Sequence, residues 1–316
     1  MNYVLFIGGK VGLEALALMI ELKCKLMQVF IEPEHDHEYI KVYKKAVEVC
    51  KQESIDFCVD SSRREIMELL SGKIGNGASI DYILSFGYRK IIPANLLSMA
   101  KRAALGTHFS PLPRYRGFAP LNWMLINGET ETAVNLFYLD EEVDSGDIVD
   151  VESVSIHYDD DINGLLEKCM IAFREMMSRA IPRLEKGHFD AVKQNEAKAT
   201  YTCARNPDDG LIDWQLPAHR IYNLVRALTY PYPGAYSYLG GERTIIWSCE
   251  EYEIAQYEGL VPGKVIKIVE GTGVVVLCGE GAVLLKDVQV EGEGRQRADK
   301  RIKSVRLTIG AARFIK

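Results

Sequence analysis

The chain has 316 residues, 47% of them hydrophobic, and a formal net charge of −6. That length holds two domains, or one large one, each with its own core, and the acidic balance does not favour a broad nucleic-acid-binding face. Seven scattered cysteines without a CxxC pair argue for reduced thiols in the cytoplasm over a disulfide framework or zinc site, and no apolar run nears the roughly 18 residues of a membrane span.

The opening "MNYVLFIGGKVG" lacks a basic leader and a cleavage site, and reads as a first strand. "VGLEALALMIEL" has helical spacing, "KLMQVFI" is a second strand, and "EYIKVYKKAVEVCKQE" an amphipathic helix. The strand "IDFCVD", the helix "REIMELLSGK" and the strand "IDYILSFG" follow. Alternating strands and helices predict a Rossmann-like, mostly parallel α/β sheet, with ligands beyond the carboxyl ends of its strands. "SFGY" and "THFS" fall at such ends. "APLNWMLINGE" predicts a helix, and "TAVNLFYLDEEVDSGDIVDVESVSI" two strands around a turn. Residues 160–186 predict one long amphipathic helix, kinked or ended by Pro182. The polar stretch 191–206 is a predicted linker between domains at 1–190 and 207–316. Beyond it, one helix and several short strands set off by glycine turns predict a small β-barrel.

The stretch "LGTHFSPLPRYRG" places His108 between a strand and a loop held by Pro111 and Pro113, where a rigid scaffold aims a side chain and leaves it accessible. Asp144, in "DSGDI", follows 36 residues later. A histidine paired with a carboxylate is a general base of fixed tautomer, suited to removing a proton from an attacking amine. The run "HFSPLPRYRGFAPLNWMLINGETET…DSGDI" resembles the signature of the 10-formyltetrahydrofolate-dependent formyltransferases: Asn-x-His, then Ser-x-Leu-Pro-x-Tyr-Arg-Gly-x-x-Pro, then Asp-x-Gly-x-Ile. "VLFIGGKVGLEALALM", "SFGYRKIIP" and "DDGLIDWQLPAHRIYNLVRALTYPYPGAYSY" extend the resemblance over essentially the whole chain.

That resemblance implies a Rossmann-like catalytic domain followed by a smaller OB-like β-barrel. It implies 10-formyltetrahydrofolate as co-substrate, tetrahydrofolate as product, and no metal. His108 is then the base and Asp144 its orienter. Phe86, Gly87, Tyr88, Ile92, Leu139, Asp140 and Asp144 are the expected folate contacts. Gly106 departs from the pattern, because the family asparagine there is the usual amide donor to the formyl oxygen. Removing one such donor costs about 10²–10³ in rate. Thr107, Ser110 or a backbone N–H opened up by the glycine are the candidate replacements, with Asn122 as a spare amide.

Among acceptors, "RNPDDGLIDW…YNLVRA…YPGA" looks closer to the nucleotide-linked amino-sugar N-formyltransferases than to the methionyl-tRNA enzymes. The negative net charge points the same way, since a tRNA binder must neutralise phosphates. Arg205 and Arg226 are candidate diphosphate donors, with Tyr222 and Asn223 beside them. Ser110, Pro111, Arg114, Tyr115 and Arg116 either clamp an anionic acceptor or pack their own loop. Trp214 with Tyr222 either stacks a base or, in "IDW" at a strand end, belongs to the barrel-edge core. Eight basic residues in the tail from Arg295 are the best case for RNA. "GGKVG" reads as a tight turn, since it lacks a full nucleotide motif, and "EPEHDHE" as an acidic surface loop rather than a metal site. The resemblance allows a homodimer and implies no membrane partner. The alternatives are a methionyl-tRNA formyltransferase and, from another class, a non-catalytic folate- or nucleotide-binding protein.

Overall fold

The computed structural model describes residues 1–34, 41–187 and 190–310. In chain order the first elements are β1 (Asn2–Gly8), α1 (Gly9–Glu21), β2 (Lys25–Glu32), α2 (Tyr43–Gln52), β3 (Phe57–Val59), α3 (Arg63–Gly75), β4 (Tyr82–Phe86), α4 (Ala94–Leu97) and β5 (Ala103–His108). Then come β6 (Arg116–Gly117), α5 (Pro120–Asn127), β7 (Glu131–Tyr138), β8 (Ile148–Ser155), α6 (Ile162–Lys186) and β9 (Tyr201–Thr202). The last are α7 (Ala218–Leu228), β10 (Ala235–Leu239), β11 (Glu242–Tyr252), β12 (Val265–Val269), β13 (Gly273–Leu277), β14 (Ala282–Val290), β15 (Gln296–Arg297) and α8 (Ala298–Arg301).

The chain divides into two compact units, one of Met1–Pro120, Glu131–Ser155 and Leu166–Thr202, the other of Leu121–Thr130, Ile156–Leu165 and Cys203–Lys316. The first is built on a seven-stranded sheet of order β3-β2-β1-β4-β5-β7-β8. The five strands from β3 to β5 pair in parallel, and β7 and β8 add antiparallel. β1 is apolar because it is covered on both faces: Tyr3 to Ile7 are all buried. At the end of β1 the backbone turns into α1 so close to β4 that a Cβ on Gly8 would lie 2.5 Å from the Gly87 carbonyl. Gly87 itself has φ +64°, a conformation that favours glycine. This close approach lies at the point where the strand order reverses, between β1 and β4.

α6 continues past Pro182 to Lys186. The proline lies on the solvent side of the last turns, while Phe173, Met176, Met177, Ala180, Ile181 and Leu184 are buried along the other face. Packing of that face outweighs the lost hydrogen bond. The predicted linker is ordered from its start to Thr202: Val192 bridges to Ile148, Gln194 is buried, and β9 pairs with β6. The stretch read as an acidic loop lies outside the described residues from His35 to Glu38. Glu32 accepts the Arg89 N–H at 2.6 Å, and Glu34 accepts the N–H groups of Val42 and Tyr43 at the start of α2.

The second unit carries an antiparallel sheet of order β10-β11-β14-β13-β12, with β15 on β14. Trp214 is a core residue there, its indole N–H bonded to the Ser237 hydroxyl at 2.9 Å. Among the described residues, no helix is long and apolar enough to cross a membrane.

Candidate active site

His108 ends β5, where the chain leaves the sheet for the loop 109–119. Its register partner across the antiparallel pairing is Asn135 on β7. Paired residues share a sheet face, so Asn135 and His108 project together, and Gly106 lies on the same face. The Asn135 amide, 1% exposed, donates to the backbone carbonyls of Ser110 and His108. It ties the loop down where it departs. A lone amide in the apolar strand "TAVNLFY" is its signal in the sequence, and no motif marks it.

The imidazole is held at both nitrogens. Nε2 lies 2.7 Å from the Tyr115 carbonyl, and Nδ1 lies 3.4 Å from Asp144 Oδ2. A carbonyl only accepts, so Nε2 carries a proton and donates it. The turn between β7 and β8 aims Asp144. A Cβ on Gly146 would overlap the Tyr138 carbonyl, and Asp144 itself is left-handed at φ +54°. The Gly117 N–H donates to Asp144 Oδ2 at 2.8 Å. Asp140 Oδ1 closes the turn by accepting from the Glu142 N–H and the Ser145 hydroxyl.

Several predicted contacts have other duties. Arg116 is fully buried, and all five of its N–H groups are engaged: by Gln194 at Nε and Nη2, by Glu196 at Nη1 and Nη2, and by the Tyr201 hydroxyl at Nη1. It has no donor left for a substrate. Its guanidinium holds the Glu196 carboxyl below the usual carboxylate range. Ser110 is also fully buried and donates to the Arg114 carbonyl at 2.8 Å, so it shapes the loop. The loop holds a cis peptide before Pro113, and Pro111 is half-buried. Arg114 is exposed, its guanidinium over the buried Tyr115 ring.

The Phe86 ring faces Phe173 in the core, 5.5 Å between centroids. Gly87 serves the close approach to Gly8. Tyr88 and Ile92 do line a cavity of about 360 Å³ together with Phe6, Ile66, Leu96 and, at polar positions, Ser61, Arg63 and Lys90. Burial pushes the Tyr88 hydroxyl up to about 12. The apolar cluster around that cavity continues through Ala104 to Leu139. Leu139 also explains the glycine at 106, because a Cβ there would lie 2.7 Å from Leu139 Cδ2. Thr107 does not replace the missing amide. Strand alternation sends its side chain to the face opposite His108, where its hydroxyl is buried without a hydrogen-bond partner among the described residues.

In the second unit Arg226 is buried, its Nε on Asn223 and its Nη1 on the carbonyls of His157, Tyr158 and Asp160. Tyr222 donates to the Tyr158 carbonyl and stacks on the Tyr158 ring. These three residues hold the turn before α6 to α7, because the buried face of an amphipathic helix must satisfy its polar groups internally. Arg226 Nε and Nη1 and the Tyr222 hydroxyl are thus committed within this unit. Asn122 donates to the Ala227 carbonyl, so it is not a spare amide. Arg205 stays partly exposed, stacked 4.8 Å from the Trp123 ring, with one donor on the Asp209 carbonyl. Among the described residues there is no group of three or more His, Cys, Asp or Glu placed to hold a metal ion.

A Rossmann-like sheet thus carries a His–Asp pair at the carboxyl end of a strand, where open α/β sheets bind their ligands. The chain belongs to the formyl transferase family: the family model described as "Formyl transferase" matches residues 23–181, and that described as "Formyl transferase, C-terminal domain" matches 205–306. Solved structures share the fold at low identity. The N-formyltransferase of Helicobacter canadensis, in complex with folinic acid and dTDP-3-aminofucose, is 17% identical at a TM-score of 0.68, over 90% of this chain and 99% of its own. HypX of Aquifex aeolicus, in complex with tetrahydrofolic acid, is 16% identical at 0.64 over 96% of this chain, and this chain spans 47% of HypX, about half its length. The methionyl-tRNA formyltransferase of Clostridium thermocellum is 20% identical at 0.51, over 85% of this chain and all of its own.

Proposed function

We propose that the protein moves a formyl group from 10-formyltetrahydrofolate to the primary amine of a nucleotide-linked amino sugar. The observation that carries this is the His108–Asp144 pair, with its tautomer set from behind by the Tyr115 carbonyl. Because Nε2–H is committed to that carbonyl, the basic nitrogen of the neutral ring is Nδ1, on the Asp144 side. The Tyr115 carbonyl thus shares with Asp144 the orienting of the ring.

The folate supplies a formyl group already activated on nitrogen. His108 Nδ1 takes the proton of the attacking amine as the new carbon–nitrogen bond forms. Asp144 then stabilises the resulting imidazolium. The same proton returns from His108 to the folate nitrogen as its bond to the formyl carbon breaks, leaving the formamide and tetrahydrofolate. With Leu139 beside Gly106, the developing oxyanion falls to backbone N–H donors where β5 runs past its last pairing with β4, at Ser85–Gly106. The cavity beside Tyr88 and Ile92 fits an aromatic heterocycle and lies along the cluster that reaches Leu139.

A sugar acceptor is supported by the acidic balance and by the tail, where Arg295, Arg297 and Arg301 each pair with a carboxylate. Arg205, half-buried on Trp123, is a cation suited to meet a diphosphate. The test is a mass-spectrometric assay with 10-formyltetrahydrofolate, a panel of UDP-, dTDP- and GDP-linked amino sugars, and methionyl-tRNA. One formyl mass gained on a sugar is the expected result. Formylation of the tRNA alone assigns the other acceptor, and folate binding without product on any acceptor overturns the proposal.

A further inference from the structure

We infer that Gln194 is a positioning residue that sets the Asp144 carboxylate against His108; this rests on the reading of those two as the reacting pair. Gln194 sits on the strap of residues 190–200 that leads into β9 and is 5% exposed. Its Nε2 donates to the Asp144 carbonyl at 2.8 Å and to the Gly146 carbonyl at 2.7 Å, on either side of the turn's tightest point. Its Oε1 accepts from Arg116 Nε at 3.2 Å and Nη2 at 2.8 Å. All four hydrogen-bonding positions of the amide are used.

The consequence is geometric. Asp144 holds a left-handed backbone, which a residue with a Cβ keeps only where its surroundings over-determine it. Gln194 grips that backbone from behind, and Gly117 grips the carboxylate from the front. Arg116, on the other side of the amide, lies between Tyr115, whose carbonyl holds His108, and Gly117. One side chain thus joins the turn that carries the carboxylate to the loop that carries the ring. The reach from Nδ1 to Oδ2, 3.4 Å, is set by this junction. Among the described residues, the groups that meet the imidazole nitrogens are that carboxylate and the neutral Tyr115 carbonyl.

Gln194→Glu separates the two halves of the amide's role. A carboxylate still accepts from Arg116, but it has no N–H for the Asp144 and Gly146 carbonyls. In the 316-residue chain kcat should fall by about 10²-fold, the loss typical of a misplaced reacting group. KM for both substrates and folate affinity should stay within about twofold. In the free protein, the 15N resonances of the His108 imidazole should move, because the carboxylate no longer meets Nδ1. Glu196→Gln loosens the strap from its solvent side but keeps both Gln194 donors, and should leave kcat within about threefold. Should Gln194→Glu prevent folding, Gln194→Met, of similar length and without donors, carries the same readouts.

Unchanged His108 imidazole 15N resonances in a folded Gln194 variant overturn the positioning role, and so does an equal loss of kcat in Glu196→Gln. The spectrum needs no turnover, so it separates the two ideas. Shifted resonances in a protein that formylates nothing sustain the positioning role and sink the proposed function.

Discussion

Gly106→Asn restores the amide of the resembling signature, and the structure sets its effect. A Cβ at position 106 lies 2.7 Å from Leu139 Cδ2 and 3.4 Å from Cγ. Comfortable contact between carbons begins at about 3.5 Å, so the leucine must retreat by roughly 1 Å before any of the amide is placed. The obstacle is the end of a flexible side chain, but that side chain packs on the cluster of Ile92, Leu96 and Ala104. The cost is that of an overpacked core, about 1–3 kcal/mol. For a unit near 200 residues this lowers Tm by roughly 2–4 °C per kcal/mol. The single variant should therefore be less stable and no faster. Adding Leu139→Ala opens the space, and the amide can then contribute up to about 3–4 kcal/mol to the transition state, or 10²–10³ in rate over Leu139→Ala alone. Thermal unfolding and single-turnover formyl transfer on wild type, both single variants and the double variant complete the cycle. Additive effects in both assays, with no Tm change in Gly106→Asn, would refute the reasoning that Leu139 occupies the amide's place.

His108→Ala and Asp144→Asn should each remove about 10²–10⁴ of turnover and leave folate binding nearly intact; calorimetric titration beside the rate assay checks this, and full activity in either refutes the assigned roles. Arg226→Ala strands the carbonyls of His157, Tyr158 and Asp160 and should cost about 3 kcal/mol or more in stability, with acceptor KM unchanged. A large rise in KM at constant Tm would instead make it a substrate clamp. Glu196 titrates below the usual carboxylate range because of its bonds to Arg116, so the pair stabilises fully above that range and is lost as pH falls through the lowered value. The Tm difference between wild type and Glu196→Gln should be flat from neutral pH down to about pH 5 and close below it. A difference that vanished at neutral pH and appeared in acid would contradict this sign.

The parallel sheet was legible in the sequence because β1, β2 and β4 are apolar runs ended by polar or glycine turns, and such runs are buried on both faces. His108 at a strand end was legible for the same local reason: two prolines follow within five residues and stop the strand. The fates of the polar residues were not. Arg116 and Arg226 look like anion binders in sequence and are buried, because their acceptors arrive from Glu196, 80 residues away, and from the turn at 157–160. Asn135 and Gln194 carry no motif, yet they hold the loop and the turn around the reacting pair. Leu139 crosses to Gly106 only because β7 continues alongside β5. Periodicity and turn chemistry act over a few residues, and they determined the strands, the helices and the position of the histidine. Which hydrogen-bonding groups meet depends on which strands become neighbours, and only the folded chain decided that.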